Sequence, residues 1–215
     1  MKFFIIIKEK SERLPDKNFL ELGDKPLFKH LLDELSGQEV YIDTDSHILY
    51  NDLKNSDVTC YLRDKKFIDL ENDGNFKVSP VLLMIENFLD KYVDDENEII
   101  VTPHVTSPFI KLNTILDASL YLDTYDSIQA CTEHKEFTYF KGQPVNFNLD
   151  VVQKTQDLEP VVMGNGAFFI FTKKTFKENK NRVGKNPHFY PINFPENIEI
   201  DYEEDWELAK RVYGK

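Results

Sequence analysis

The chain has 215 residues, 41% of them hydrophobic, with 17 Phe, 10 Tyr and a formal net charge of −12. That is enough for one domain with a substantial core, or one domain carrying a sizeable insertion. The charge excludes nucleic acid and anionic membrane as partners, because a polyanion is repelled; no apolar run approaches the ~20 residues of a membrane helix.

The chain opens on the apolar run Phe3–Ile7, read as a buried parallel strand. It feeds a polar loop bearing Lys8, Lys10, Arg13 and Lys17. Loops at the carboxyl ends of parallel strands are where α/β proteins bind ligands. Four cations in an acidic chain suggest a local anion site. Glu9, Glu12 and Asp16 cancel most of that charge and equally allow a solvated loop.

Strand-like and helix-like segments then alternate. Residues 26–36 carry Leu27, Phe28, Leu31, Leu32 and Leu35 at helical spacing, and Gly37 ends them. Val40–Ile42 is a short strand ending in Asp43-Thr-Asp-Ser46, whose acids can cap a helix over 46–54. Val58–Leu62 is the next strand. Residues 63–78 read as a long polar loop, and loops of that length are often functional. Ser79-Pro80 starts a helix, with serine as N-cap and proline in the first turn, running to Tyr92. Glu98–Thr102 is a strand, 113–123 a helix and Ser127–Cys131 a strand.

After that the rhythm breaks. Alternating aromatics around Lys141-Gly142 signal a hairpin over 137–148. Gly166–Phe171 and Ile198–Ile200 are strands, and a helix spans Glu203–Tyr213. The pattern is α/β: a three-layer α/β/α sandwich with an inserted β-rich arm at about 133–192. The two cysteines, Cys60 and Cys131, sit in apolar runs, as buried free thiols of a cytoplasmic protein would. Residues 1–7 lack the length and cleavage site of a signal peptide.

Dinucleotide and P-loop glycine motifs are absent, as are Cys-x-x-Cys pairs and metal-spaced histidines. Three carboxylate clusters remain: Asp43/Asp45, the acids of 64–73, and Glu199/Asp201. On a strand, residues i and i+2 share a face. Glu199 and Asp201 therefore project together, and two adjacent carboxylates suit a hard cation such as Mg²⁺. A solvated strand end accounts for them equally well.

The chain resembles the cytidylyltransferases that activate acidic sugars, the CMP-sialic acid synthetases and their relatives. The family opening, Ile-Pro-Ala-Arg-Gly-Gly-Ser-Lys-Arg-Leu-Pro-Gly-Lys-Asn, appears as Ile6-Ile-Lys-Glu-Lys-Ser-Glu-Arg-Leu-Pro-Asp-Lys17-Asn18. Gly23-Asp-Lys25-Pro-Leu27, Asp43-Thr-Asp45, Arg63, His104-Val-Thr-Ser-Pro108, Asn165-Gly-Ala-Phe-Phe-Ile170, Ile198-Glu-Ile-Asp201 and Asp205-Trp-Glu-Leu-Ala209 follow in family order. Lys8 replaces the loop arginine, Glu9 and Lys10 replace both loop glycines, Glu12 replaces a lysine, and the metal pair is Glu/Asp.

The resemblance implies a nucleotide-diphospho-sugar transferase fold that dimerises through the arm. It implies transfer of CMP from CTP to a 2-keto sugar acid with Mg²⁺ on Glu199 and Asp201. Lys8, Arg13 and Lys17 would hold the triphosphate, and Asn18, Arg63 and Ser79 would lie near the nucleoside. His104, Lys135 and Gln156 would meet the sugar, with Phe169 walling its pocket. A binding protein without catalysis, and a transferase for another nucleotide sugar, remain open on the same fold.

Overall fold

The computed structural model describes residues 1–74, 76–151 and 153–214. Its first strand, β1 (Lys2–Ile7), is the opening apolar run. Alternate side chains of β1 enter different cores. Phe3, Ile5 and Ile7 face one side of the sheet and Phe4 and Ile6 the other. A strand buried on both faces needs layers on both sides, which gives the three-layer architecture.

The remaining elements follow as β2 (Glu21–Leu22), β3 (Lys25–Pro26), α1 (Leu27–Glu34), β4 (Val40–Thr44), α2 (His47–Leu53) and β5 (Thr59–Leu62). Next come α3 (Lys65–Asp73), α4 (Pro80–Tyr92), β6 (Ile99–Pro103), α5 (Leu112–Ser119) and β7 (Ser127–His134). The last are β8 (Tyr139–Phe140), β9 (Gln143–Pro144), β10 (Val161–Thr172), α6 (Lys173–Asn179), β11 (Pro187–Pro191) and α7 (Glu203–Tyr213). The central sheet has the order β11-β7-β10-β6-β1-β4-β5. β10 alone runs antiparallel to its neighbours; the other pairings are parallel.

Leu31 of α1, Ile115 of α5 and Trp206 of α7 cover one face. Phe67 of α3, Phe88 of α4 and Phe176 of α6 cover the other, where Phe4 stacks on Phe88 with ring centres 4.3 Å apart. The chain leaves β1 toward β4 and β5, then returns to place β6 on the opposite side of β1. β1 and β6 thus flank the point where strand order reverses, and the crevice beyond their carboxyl ends is the place for a ligand.

Two expectations need correction. Residues 63–78 do not form a long loop: 65–73 are the helix α3. Asp64 caps it by accepting from the Lys66 N–H, Gly74 ends it in the left-handed region, and Phe67 and Leu70 pack on the core. Ile198–Ile200 joins no sheet. The segment still alternates, with Ile198 and Ile200 buried, Glu199 and Asp201 half-buried, and the Ile200 N–H donating to the Thr106 carbonyl at 2.8 Å. The alternation in burial therefore survives the loss of the strand.

β7 and the first half of β10 continue past the body of the sheet. Their pairing shifts register between Gly164 and Phe169, where the strand bends. The hairpin β8–β9 turns at Lys141 and Gly142, both at positive φ, and rests on Phe147 through Phe137 and Tyr139. Within 133–192, residues 168–172 and 187–191 belong to the central sheet.

Candidate active site

A cavity of about 370 Å³ opens beyond β1 and β6. Phe4 and Ile6 of β1 and Val81 and Ile85 of α4 supply its apolar wall. Lys8, Lys10, Arg13, Lys17 and Arg182 reach it, against the single acid Glu12. Five cations around one opening of a chain of charge −12 make it a local anion site.

The opening loop is held from several sides. Leu14 is buried; the Glu9 N–H donates to Asp45 Oδ1 at 2.7 Å; Asn18 Nδ2 donates to the Lys8 carbonyl at 2.9 Å. Asp16 takes a left-handed conformation, φ +52°, and starts the tight turn that buries Lys17 and Asn18. Asn18 thus acts on the loop's shape, through Lys8.

Asp201 is the centre of charge. Lys17 Nζ lies 2.7 Å from Oδ1, and an Arg13 guanidinium nitrogen 2.7 Å from Oδ2. Arg13 also lies over the Tyr202 ring at 5.4 Å, and contact with Tyr202 and Asp201 holds its guanidinium above the usual arginine range. Asp205 at the start of α7 accepts from the Asp201 and Tyr202 N–H groups, fixing the carboxylate's approach.

Glu199 turns to the other wall. Its Oε2 accepts from the Gly166 N–H at 3.1 Å. A methyl group at Gly166 would stand 2.2 Å from Glu199 Oε1 and 2.8 Å from His104 Nδ1, so both side chains close over that glycine. Asn165 beside it accepts from the Ala167 N–H and donates to Thr132, which shapes the bend of β10.

Among the described residues, no three or more His, Cys, Asp or Glu side chains gather as a metal cluster. Glu199 and Asp201 offer two hard carboxylates, and Asp201 already collects positive charge on both oxygens. One or two carboxylates, with phosphates and water completing the shell, is how Mg²⁺ is usually held. By donor type the two carboxylates suit that ion, which Asp201 could take only as Lys17 and Arg13 turn away from it.

His104 lines the cavity beside Arg182, which donates to Nε2 at 3.2 Å. Burial, and then the Arg182 charge, push the imidazole down to about 3. It is neutral at pH 7, and the bond at Nε2 places its proton on Nδ1. Phe169 stands behind: the Arg182 guanidinium carbon lies 3.8 Å from its ring centre.

Seven sequence candidates do not line this cavity: Asp201 and Phe169 contact residues that do, Glu199 bonds Gly166, and Arg63, Ser79, Lys135 and Gln156 stand elsewhere. Arg63 is fully buried at the end of β5, bonded to Asp43 at 2.6 Å and Glu71 at 2.8 Å, with Asp45 at 3.8 Å. Its connection to the site is indirect, since Glu71 also pairs with Lys8 at 2.7 Å. Ser79 is exposed ahead of α4, and no side-chain cap bond forms there. Lys135 and Gln156 are exposed on the arm, away from the cavity's lining. Sequence reasoning missed Glu71, hidden in the segment read as a loop, and Arg182, which resembles the lysines around it.

The sequence and the fold are similar to those of known proteins. A family model described as cytidylyltransferase matches residues 5–210. The chain belongs to the cytidylyltransferase family. It is 27% identical over 211 residues to an N-acylneuraminate cytidylyltransferase of Streptococcus agalactiae, covering 91% of this chain and 49% of the relative. The chain therefore spans about half the length of the N-acylneuraminate cytidylyltransferases it matches. A CMP-N,N'-diacetyllegionaminic acid synthase of Legionella pneumophila is also 27% identical, covering 94% of this chain and 91% of that one. Among solved structures, a CMP:2-keto-3-deoxy-manno-octonic acid synthetase complexed with CTP superposes with TM-score 0.63 at 12% identity, over 99% of this chain and 97% of that one. At that identity the likeness shows the fold. Among the described residues, no helix is long and apolar enough to cross a membrane.

Proposed function

We propose that this cytidylyltransferase moves CMP from CTP to a 2-keto sugar acid of the sialic acid type, releasing diphosphate. The observation that carries the reading is the set of five cations converging on one crevice at the strand-order reversal. The names of the relatives supply the nucleotide and the acid: N-acylneuraminate, diacetyllegionaminate and a keto-deoxy-octonate.

Lys8, Arg13 and Lys17 take the triphosphate. Two of them now neutralise Asp201 and the third neutralises Glu71, so each has a carboxylate to hold it in place between turnovers. Phe4, Ile6, Val81 and Ile85 receive the nucleoside. The acceptor's anomeric oxygen attacks the α-phosphorus in line. The new P–O bond forms as the bond to the β-phosphate oxygen breaks, diphosphate leaves, and the hydroxyl proton is released. This chemistry is positioning and charge neutralisation. Asp201 and Glu199 would hold Mg²⁺, which when bound supplies positive charge to the phosphate oxygens and polarises the attacking hydroxyl.

We further read the arm as a homodimer contact. Phe137, Tyr139, Phe140, Val145 and Leu149 expose apolar surface there, and Lys135 and Gln156 would lie in that contact region. Cys60 and Cys131 form no disulfide, and burial pushes both thiols up to about 11, which fits a reducing cytoplasm. The test is diphosphate release with each of the four nucleoside triphosphates and a panel of keto-sugar acids. Release with CTP and an acid supports transfer. CTP binding without release with any acid makes the chain a binding protein. Equal release from all four triphosphates removes the cytidine assignment.

A further inference from the structure

Arg182, half-buried, differs from the other cations at the cavity. Lys8, Arg13 and Lys17 each face a carboxylate at 2.7 Å. Arg182 makes no ion pair among the described residues. Of its five N–H donors, one has a protein partner there, and that partner is the neutral His104 ring. Its planar face lies against Phe169. A partly desolvated guanidinium is stabilised when an anion completes it. Burial alone pushes it down to about 10.

A second observation comes from β6. Thr102 is paired in register with Phe169, lines the same cavity, and is buried with its Oγ1 lacking any hydrogen-bond partner among the described residues. Buried hydroxyls are normally satisfied. A charged fork and an orphaned hydroxyl on one aromatic platform call for a ligand with acceptor oxygens.

We infer that Arg182 and Thr102, seated on Phe169 and backed by His104, form the subsite for the acceptor's carboxylate, and that Arg182 sets the demand for an anionic sugar. The inference rests on the transfer reading above. In a 2-keto sugar acid the carboxylate and the attacking hydroxyl sit on one carbon. An anchor for the carboxylate therefore orients the nucleophile. The cavity that holds Arg182 also holds Lys17 and Arg13, so the anchored carbon faces the triphosphate. A guanidinium fork matches a carboxylate through two parallel hydrogen bonds, which a lysine ammonium cannot make.

The test pairs a protein change with a ligand change. Wild type, Arg182→Met and Arg182→Lys are titrated by calorimetry with N-acetylneuraminate and with its methyl ester, in the presence of CMP. The carboxylate contact makes the acid bind wild type at least about tenfold tighter than the ester, the size of a charge-assisted hydrogen bond. In Arg182→Met that ratio should collapse to within about twofold, with Arg182→Lys between. CTP affinity, which also reports folding, should stay within about twofold in both variants. An acid-to-ester ratio kept in Arg182→Met overturns the inference, and so does failure of wild type to bind the acid. A loss of CTP affinity larger than the loss for the acid assigns Arg182 to phosphate and also overturns it. The two readings part cleanly: a collapsed ratio without diphosphate release sinks transfer and keeps the subsite. Release with an unchanged ratio keeps transfer and sinks the subsite.

Discussion

Two clusters of acids and cations stand at the carboxyl ends of neighbouring parallel strands, and they have opposite characters. At β4 and β5, Arg63 is locked between Asp43 and Glu71 with its side chain 0% exposed. At β1, Arg13 and Lys17 share Asp201, and Arg13 is 52% exposed beside the cavity. Composition does not separate them, since both are carboxylates facing cations. Solvent does. A pair out of water holds strands and helix together; a pair at an open cavity can exchange its carboxylate for a ligand's phosphates. The sealed cluster still serves the open one, because Glu71 grips Arg63 with one oxygen and Lys8 with the other.

The largest effect expected from this contrast is on stability. Arg63→Met leaves the buried Asp43 without its cation, Glu71 keeping Lys8, and breaking a buried pair costs about 3–5 kcal/mol. Arg13→Ala breaks an exposed pair worth about 0–1 kcal/mol. Urea unfolding of the two variants should differ accordingly. Equal losses would erase the distinction between sealed and open clusters.

A smaller effect sharpens the open side. His104 is held neutral in the fold, down to about 3 against 6.5 for an ordinary histidine. Unfolding therefore takes up a proton between those values. That contribution is intact above pH 6.5 and is lost as pH falls through the window, by about 1.4 kcal/mol per pH unit for one proton. His104→Gln should flatten that part of the stability profile measured in metal-free buffer. An unchanged slope would mean the imidazole is solvated and Arg182 is not its neighbour.

The parts of this design that were legible in the sequence are those set by short-range pattern. Five apolar residues followed by a basic loop located β1 and Lys17, and the alternation of 198–201 predicted which side chains are buried even though the segment joins no sheet; Asp201 meets Lys17 and Arg13 while Glu199 meets Gly166. The helix α3 was hidden because Asp69, Glu71 and Asp73 look like loop residues until Phe67 and Leu70 find a core to face. Its signals were the cap at Asp64 and the stop at Gly74. Arg182 gave no local signal at all. Its meaning comes from Phe169, thirteen positions away on another element, and from His104, 78 positions away. Lys135 and Gln156, which the resemblance assigned to the sugar, stand on the arm outside the cavity's lining.

The central claim is that the crevice around Asp201 receives the triphosphate through Lys17. It is tested most directly by calorimetric titration of CTP with Mg²⁺ into wild type, Lys17→Ala and Lys10→Ala. Lys17 is buried and aimed at the cavity, whereas Lys10 is exposed at its rim. A lost charge-assisted contact costs about 1.5–3 kcal/mol, so Lys17→Ala should weaken CTP by about 10- to 150-fold, with Lys10→Ala within about threefold of wild type. Wild-type affinity in the Lys17 variant would contradict the account and move the triphosphate out of this crevice.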